Sequence, residues 1–304
     1  MDISVVLCTY NNAERLRITF RAFCQLNQPD GVAWELVTVN NNSSDHTEEV
    51  VQAFEDRLPI TYVYEPEQGL SRARNAGLEV AQGDLIVFTD DDVKPNPDWL
   101  VAYWEAYQDR PEGYYFGGPI ESEYEGKPPD ADLMRVAMPS VVGLDHGSEP
   151  RELSEQDLLV GANWALPSKY LRQVGSFNEN IGLNATADNV SVGEEADMMS
   201  RLEERGFRKW YVPEAQIKHF VPESKCTLDH VIARRTAGLE NAYAPGSPMP
   251  NTFLGIPAGL YREAFLHWFD WIARRWTGEY WKKEYVHWCQ WKERLRAYHF
   301  RNVK

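Results

Sequence analysis

The 304-residue sequence predicts an α/β fold, a mostly parallel β-sheet flanked by helices and followed by a helical C-terminal extension. Three observations lead there. The first 90 residues alternate β-branched apolar runs with stretches of helical spacing, the pattern of a parallel sheet covered by helices. The apolar runs are nearly unbroken, as strands buried on both faces require. Each run also ends in a polar cluster, "TYNN", "NNNSSD", "EPEQG" and "DDD" in turn. In such sheets ligands bind beyond the carboxyl ends of the strands, so four polar clusters are expected to converge on one edge.

The elements follow in order. Ile3–Thr9 is a β-branched run, and Ala13–Leu26 carries apolar residues at Leu16, Phe20, Phe23 and Cys24, a helical spacing. Trp34–Asn40 is a second strand, and Ser43, Ser44 or Asp45 can cap a helix over Thr47–Phe54. Ile60–Glu65, Leu70–Ala81 and Leu85–Thr89 read as strand, helix and strand. Beyond Asp92 the regularity weakens. Pro95–Tyr107 reads as a capped helix and Tyr114–Ile120 as a strand. Glu121–Gln156, rich in Pro, Gly and acidic residues, reads as a long irregular loop. Leu158–Pro167 resumes strand character, Gly193–Gly206 is helical, and Lys209–Phe220 is a strand-turn-strand. The expected division is a catalytic domain over 1–225 and a helical, Trp-rich basic extension over 226–304.

Composition narrows the function. With 43 % apolar and 25 % charged residues the chain is globular. A formal charge of −15 argues against a general affinity for nucleic acid. Four widely separated cysteines show no metal-type spacing and fit a reduced, cytoplasmic protein. The start "MDISVVLCTYNN" reads as a strand rather than a signal peptide, and no segment approaches the roughly 20 apolar residues of a membrane span.

The stretch "GDLIVFTDDDVKP" poses the sharpest question. A buried strand ends in Asp90, Asp91 and Asp92, three carboxylates that repel one another and resist desolvation. Water, nearby cations or a bound metal ion must compensate.

Six motifs bear on the answer: "VVLCTYNN", "VNNNSSDHT", "GLSRARNAGLEVAQGDLIVFTDDDV", "VGANWALPSKYLRQVGSFNENIG", "GEEADMMSRLEERGF" and "WYVPEAQIKH". In this order and spacing they resemble the family 2 glycosyltransferases, which have the Rossmann-like GT-A fold; the resemblance covers roughly Ile3 to Phe220. It implies a nucleotide-diphosphate sugar donor, a UDP-sugar by family habit, held through Mn²⁺ or Mg²⁺. A divalent cation lets carboxylates and diphosphate share one site.

By the same resemblance Asp92 is a direct metal ligand, Asp90 and Asp91 contact ribose or metal-bound water, and His219 completes the metal shell. Thr9, Tyr10 and Asn11 pack against base and ribose, Arg74 (with Arg72) brings positive charge to the phosphates, and Asp84 faces the nucleotide. Asn40 departs from the usual Asp; its amide both donates and accepts, whereas Asp only accepts. Glu195 matches the general base of an inverting transfer, one methylene longer than the usual Asp, with Glu194 and Asp197 as competitors at the same helix start. Glu194, Asn163 and Trp164 are the sugar and acceptor candidates.

The implied activity is transfer to a saccharide or lipid-linked saccharide acceptor in surface-polysaccharide synthesis. Two other classes compete. A sugar nucleotidyltransferase would carry a Gly-rich basic signature near the N-terminus, which "LCTYNNAERLR" lacks. A non-catalytic carbohydrate-binding member of the fold draws support from the Asn40 and Glu195 departures.

Tyr261–Lys304 lies outside the resemblance. It holds ten Lys/Arg, five Asp/Glu and six of the eleven tryptophans. Phe265, Trp268, Phe269, Ile272 and Trp276 form a helical apolar stripe. Such a helix can dock on an acidic neighbour or lie in a membrane interface. The expected location is therefore the cytoplasm, with peripheral contact at the inner face of the plasma membrane.

Overall fold

A computed structural model describes residues 1–110, 112–182, 193–237, 239, 252–253 and 256–302. In chain order the elements are β1 (Ile3–Thr9), α1 (Ala13–Phe23), β2 (Trp34–Asn40), α2 (Thr47–Gln52), β3 (Ile60–Tyr64), α3 (Leu70–Val80), β4 (Leu85–Asp90), β5 (Val93–Pro95) and α4 (Trp99–Asp109). They continue with β6 (Tyr114–Gly117), β7 (Ile120–Tyr124), α5 (Ala131–Met134), α6 (Pro139–Val142), β8 (Arg151–Glu152), β9 (Asn163–Pro167), α7 (Ser168–Val174), α8 (Glu194–Glu204), β10 (Arg208–Tyr211) and β11 (Ile217–Val221). The last are α9 (Leu228–Thr236), β12 (Thr252–Phe253), β13 (Ile256–Pro257), α10 (Ala258–Thr277) and α11 (Lys282–Asn302).

Among the described residues eight strands form one sheet in the order β3-β2-β1-β4-β9-β6-β10-β8. Strands β1 to β4 run parallel, while β9 is inserted antiparallel between β4 and β6. Successive side chains of a strand point to opposite faces, and the core divides accordingly. Val5, Leu7 and Val87 meet Leu16, Phe20 and Phe23 of α1 and Trp99 and Tyr103 of α4. Val6, Ile86 and Phe88 meet Ala73 of α3, Trp164, and Met198 and Leu202 of α8. A small sheet, β5-β11-β7, stands beside the end of β4 and sets His219 opposite Val93.

Several elements differ from expectation for local reasons. Helix α4 starts at Trp99, four residues later than expected, and Val93–Pro95 is a strand instead. Asn96 precedes Pro97, and a residue before proline is pushed out of the helical region. The strand expected over Tyr114–Ile120 breaks at Gly118-Pro119 into β6 and β7, since proline has no N–H for the ladder. The expected loop Glu121–Gln156 contains most of β7, then α5, α6 and β8.

The chain divides into two compact units. The first takes in residues 1–123, 143–182 and 193–220; the second takes in 124–142 and the described residues from 221 onward. The second has its own core, in which Leu133, Val136 and Val141 of the α5–α6 segment pack with Val231 of α9 and Val286 of α11. Asp132 accepts from the backbone N–H groups of Trp281 (3.0 Å) and Lys282 (2.8 Å) at the start of α11. That satisfies donors a helix N-terminus leaves open.

Candidate active site

The site lies at the carboxyl ends of β1, β2 and β4, where the parallel strands release their polar clusters. Each loop is tied down by its own side chains. Asp45 accepts from Ala13 N at the start of α1 (3.0 Å) and from Thr47 N at the start of α2 (3.1 Å). Asn11, at φ +48°, accepts from Ser44 N (2.7 Å) and so joins the loop after β1 to the loop after β2. Asn41 donates to the carbonyls of Glu65 and Glu67 and accepts from Gly69 N at the start of α3.

The three consecutive aspartates face different ways. Asp91 turns back to the protein and accepts from Thr9 Oγ1 (2.6 Å) and Asn12 Nδ2 (2.7 Å). Burial and the charge of Asp92 push its carboxyl up to about 7 in spite of those two hydrogen bonds. Thr19 Oγ1 lies within hydrogen-bond distance of the Asp91 and Val93 carbonyls, which fixes the turn. Asp90 and Asp92 are left together with His219. One ligand atom from each lies within 4.8 Å of the others, and His219 Nε2 is 3.3 Å from Asp92 Oδ1. Burial raises the Asp90 carboxyl above its usual range; Arg74 opposes that rise and Asp92 adds to it. Two carboxylates and an imidazole held at this spacing fit a divalent cation, and a mainly oxygen donor set suits Mg²⁺ or Mn²⁺.

Arg74 on α3 connects this cluster to the start of α8. Its Nη1 donates to Glu194 Oε1 at 2.8 Å, and its Nη2 stands 3.5 Å from Glu195 Oε1 and 3.8 Å from Asp90 Oδ1. Burial opposes the charge on Arg74, but Glu195, Glu194 and Asp90 outweigh it and keep the guanidinium protonated. The two glutamates separate in character. Glu194 is buried; desolvation and the charge of Glu195 push it up to about 7 against the pull of Arg74. Glu195 keeps a quarter of its side chain exposed. Burial raises it too, yet Arg74, its own backbone amide and Glu194 prevail and hold it below the usual carboxylate range. The neighbouring loop makes room for it: a Cβ on Gly161 would fall 2.0 Å from Glu195 Oε1.

The other sequence candidates fall in three groups. Tyr10 is exposed at the mouth of the edge, beside Asn11. Thr9 and Asn40 are buried there, Asn40 donating to Tyr62 Oη (3.0 Å) and accepting from Ser43 N (3.0 Å). Asp84 is not brought to the edge. It precedes β4, whose far end carries Asp90, and six residues of strand span about 20 Å. Asn163 and Trp164, expected to meet sugar, lie in the core. Asn163 donates to Pro119 O (3.0 Å) and Ala215 O (2.7 Å) and accepts from Trp99 Nε1 and Tyr103 Oη (both 2.8 Å), which uses its whole hydrogen-bonding capacity. Trp164 is fully buried and stacked 4.7 Å from Phe88. Asn12 and Asn41, which shape the edge, belong to the polar clusters expected there, whereas Thr19 of α1 carries no local signal that separates it from an ordinary helix residue.

One edge of the sheet thus gathers an Asp–Asp–His cluster spaced for a cation and a pair of helix-start glutamates. The sequence model of the family described as Glycosyl transferase family 2 matches residues 4–145. The glucosyl-dolichyl phosphate glucuronosyltransferase of Haloferax volcanii is 25 % identical over 239 residues, 77 % of this chain and 74 % of its own. The succinoglycan biosynthesis protein ExoM of Rhizobium meliloti is 25 % identical over 240 residues, 77 % of this chain and 72 % of its own. Among solved structures, the mannosyltransferase PcManGT of Pyrobaculum calidifontis, in complex with GDP-Man and Mn²⁺, shares the fold at TM-score 0.59 and 19 % identity, over 99 % of this chain and 86 % of that one. The comparisons thus make the chain similar to the family 2 glycosyltransferases, with the family match lying on residues 4–145.

Proposed function

We propose that this glycosyltransferase is divalent-cation-dependent and inverting, and that it moves a sugar from a nucleotide-diphosphate donor, a UDP-sugar by family habit, to a saccharide or lipid-linked saccharide in surface-glycan synthesis. The observation that carries the reading is the juxtaposition, through Arg74, of the Asp90–Asp92–His219 cluster with the ionised Glu195. Asp90, Asp92 and His219 would hold Mn²⁺ or Mg²⁺, which when bound stabilises the leaving diphosphate. Tyr10 and Asn11 border the base and ribose. Glu195, whose ionised form Arg74 favours, takes the proton of the attacking acceptor hydroxyl. Glu194 and Arg74 hold that carboxylate in place. The complex of PcManGT with GDP-Man and Mn²⁺ supports the cation and donor class. The name of the Haloferax relative supports a lipid-linked acceptor.

An acceptor on a lipid gives the C-terminal helices a role. No helix among the described residues is long and apolar enough to cross a membrane. Helix α10 nevertheless exposes Phe265, Phe269 and Trp276, and its last turn carries Arg274 and Arg275. The proposed location is cytoplasmic, at the inner face of the plasma membrane, with α10 in the headgroup region.

The test is a panel of nucleotide sugars with Mn²⁺, read as release of nucleoside diphosphate, with the product's anomeric configuration read by NMR. Equal turnover in excess EDTA would defeat the cation claim, and retained configuration would defeat inversion.

A further inference from the structure

A second cluster of ligating side chains lies in the C-terminal unit, in the hairpin of α10 and α11. Aromatic side chains zip the hairpin: Trp271 stacks on Trp288 (centroids 5.3 Å apart) and packs on Tyr285 (4.7 Å). Alongside that zipper, His267 of α10 faces Glu284 and His287 of α11, which are three residues apart and so share a helix face. Glu284 Oε2 sits 2.9 Å from His267 Nδ1 and 3.9 Å from His287 Nδ1. The two imidazoles are edge-to-face with centroids 5.0 Å apart. Ligand atoms of all three residues lie within 4.8 Å of one another.

We propose that His267, Glu284 and His287 form a second metal site, for Zn²⁺ or a similar borderline divalent ion, that clamps α10 to α11. Three observations carry it. The distances match: two ligands about 2.0–2.1 Å from a tetrahedral ion stand roughly 3.4 Å apart, and the two separations from Glu284 bracket that value. The donor chemistry matches, since two imidazole nitrogens and one carboxylate are a zinc-type set, unlike the oxygen-dominated cluster at β4. The environment matches as well. The three side chains are half-buried, with Glu284 the most enclosed. His267 and His287, whose Nδ1 atoms both face Glu284, would each offer a ring nitrogen to the ion, and Glu284 would supply negative charge.

The competing account makes Glu284 only a hydrogen-bond acceptor that joins two helices. Zn²⁺ titrated into the full-length protein by calorimetry separates the two. The wild type should take up one equivalent more than the His267→Ala/His287→Ala variant, and this difference should persist in an Asp92→Ala background, where the cluster at β4 is disabled. Co²⁺ in that background should give the intense visible bands of a four-coordinate ion, absent from the double variant. Should the double variant fail to fold, Glu284→Gln keeps the side chain's shape and a hydrogen bond. It should weaken Zn²⁺ by more than the ~10–100-fold that loss of an outer-sphere partner costs. Equal Zn²⁺ uptake by wild type and a folded double variant, or an unchanged affinity in Glu284→Gln, overturns the proposal.

Discussion

Arg74 and Glu194 form an ion pair at 2.8 Å with both side chains only 3 % exposed. A pair so enclosed is a weak source of net stability, because desolvation consumes most of the attraction. Its value here is positional, as the same guanidinium reaches Glu195 and Asp90. Removing one partner is a different matter. Arg74→Met strands a buried carboxylate and should destabilise the fold by about 3–5 kcal/mol. Arg74→Met combined with Glu194→Gln should recover part of that loss in a double-mutant cycle of urea denaturation. Simple additivity of the two changes would refute the coupling.

The adjacent glutamates should behave differently in kinetics. Glu195→Gln keeps the shape but cannot accept a proton, so turnover should fall by roughly 10²–10⁴-fold with donor affinity little changed. Glu194→Gln should cost less and act through the placement of Arg74 and Glu195. If single-turnover rates show the larger loss in Glu194→Gln, the base has been placed one position too late.

Asp92→Ala breaks the cluster with His219 and Asp90. Wild-type protein should gain stability in Mn²⁺, about 2.7 kcal/mol at a hundredfold excess over Kd, and the variant should gain far less and lose turnover. Equal thermal shifts in the two proteins would remove Asp92 from the cation site.

Glu194 also predicts a pH dependence. Its folded pKa of about 7 lies above the ordinary 4.5. The native state therefore holds a proton that the unfolded chain has released, and this stabilisation is complete below pH 4.5 and lost as pH rises through about 7. Asp91, raised to about 7, acts in the same direction. Glu195, depressed, acts below its ordinary 4.5, where its contribution is lost on acidification. In EDTA, wild type should lose more stability than Glu194→Gln between about pH 5 and about pH 8. Identical losses would show that Glu194 does not titrate in that window.

The legible part of the site was the part encoded locally. Asp90 ends β4 and Asp92 follows in the turn, and a parallel sheet sends strand ends to one edge; His219 joins them from the middle of β11. What escaped depends on pairing across long sequence distances. Antiparallel β9 sets Trp164 opposite Phe88 and Asn163 opposite Thr89, and only that pairing turns both residues into the core. A polar residue that follows a turn reads the same whether it faces ligand or interior. Asp84 shows the converse: a carboxylate in a family-like motif, at the wrong end of its strand. Helices α5 and α6 were hidden because four-residue helices leave too short an apolar pattern among prolines and charges.

The outer face of α10 supports the last prediction. Phe265, Phe269 and Trp276 recur at i, i+4 and i+11 and so share one side of the helix; they are 59 %, 57 % and 87 % exposed. Large side chains at such exposure are paid for somewhere, and an interface with anionic lipid would accept both the rings and the neighbouring Arg274 and Arg275. Full-length protein should pellet with anionic liposomes at low salt and be released as salt shortens the Debye length below about 10 Å. Phe265→Ser/Phe269→Ser/Trp276→Ser should stay in the supernatant with its circular dichroism unchanged, since these side chains contribute little to the core. Arg274→Glu/Arg275→Glu should retain weak, salt-insensitive binding through the rings. Wild-type protein that remains soluble at every lipid composition would leave the face without a membrane role.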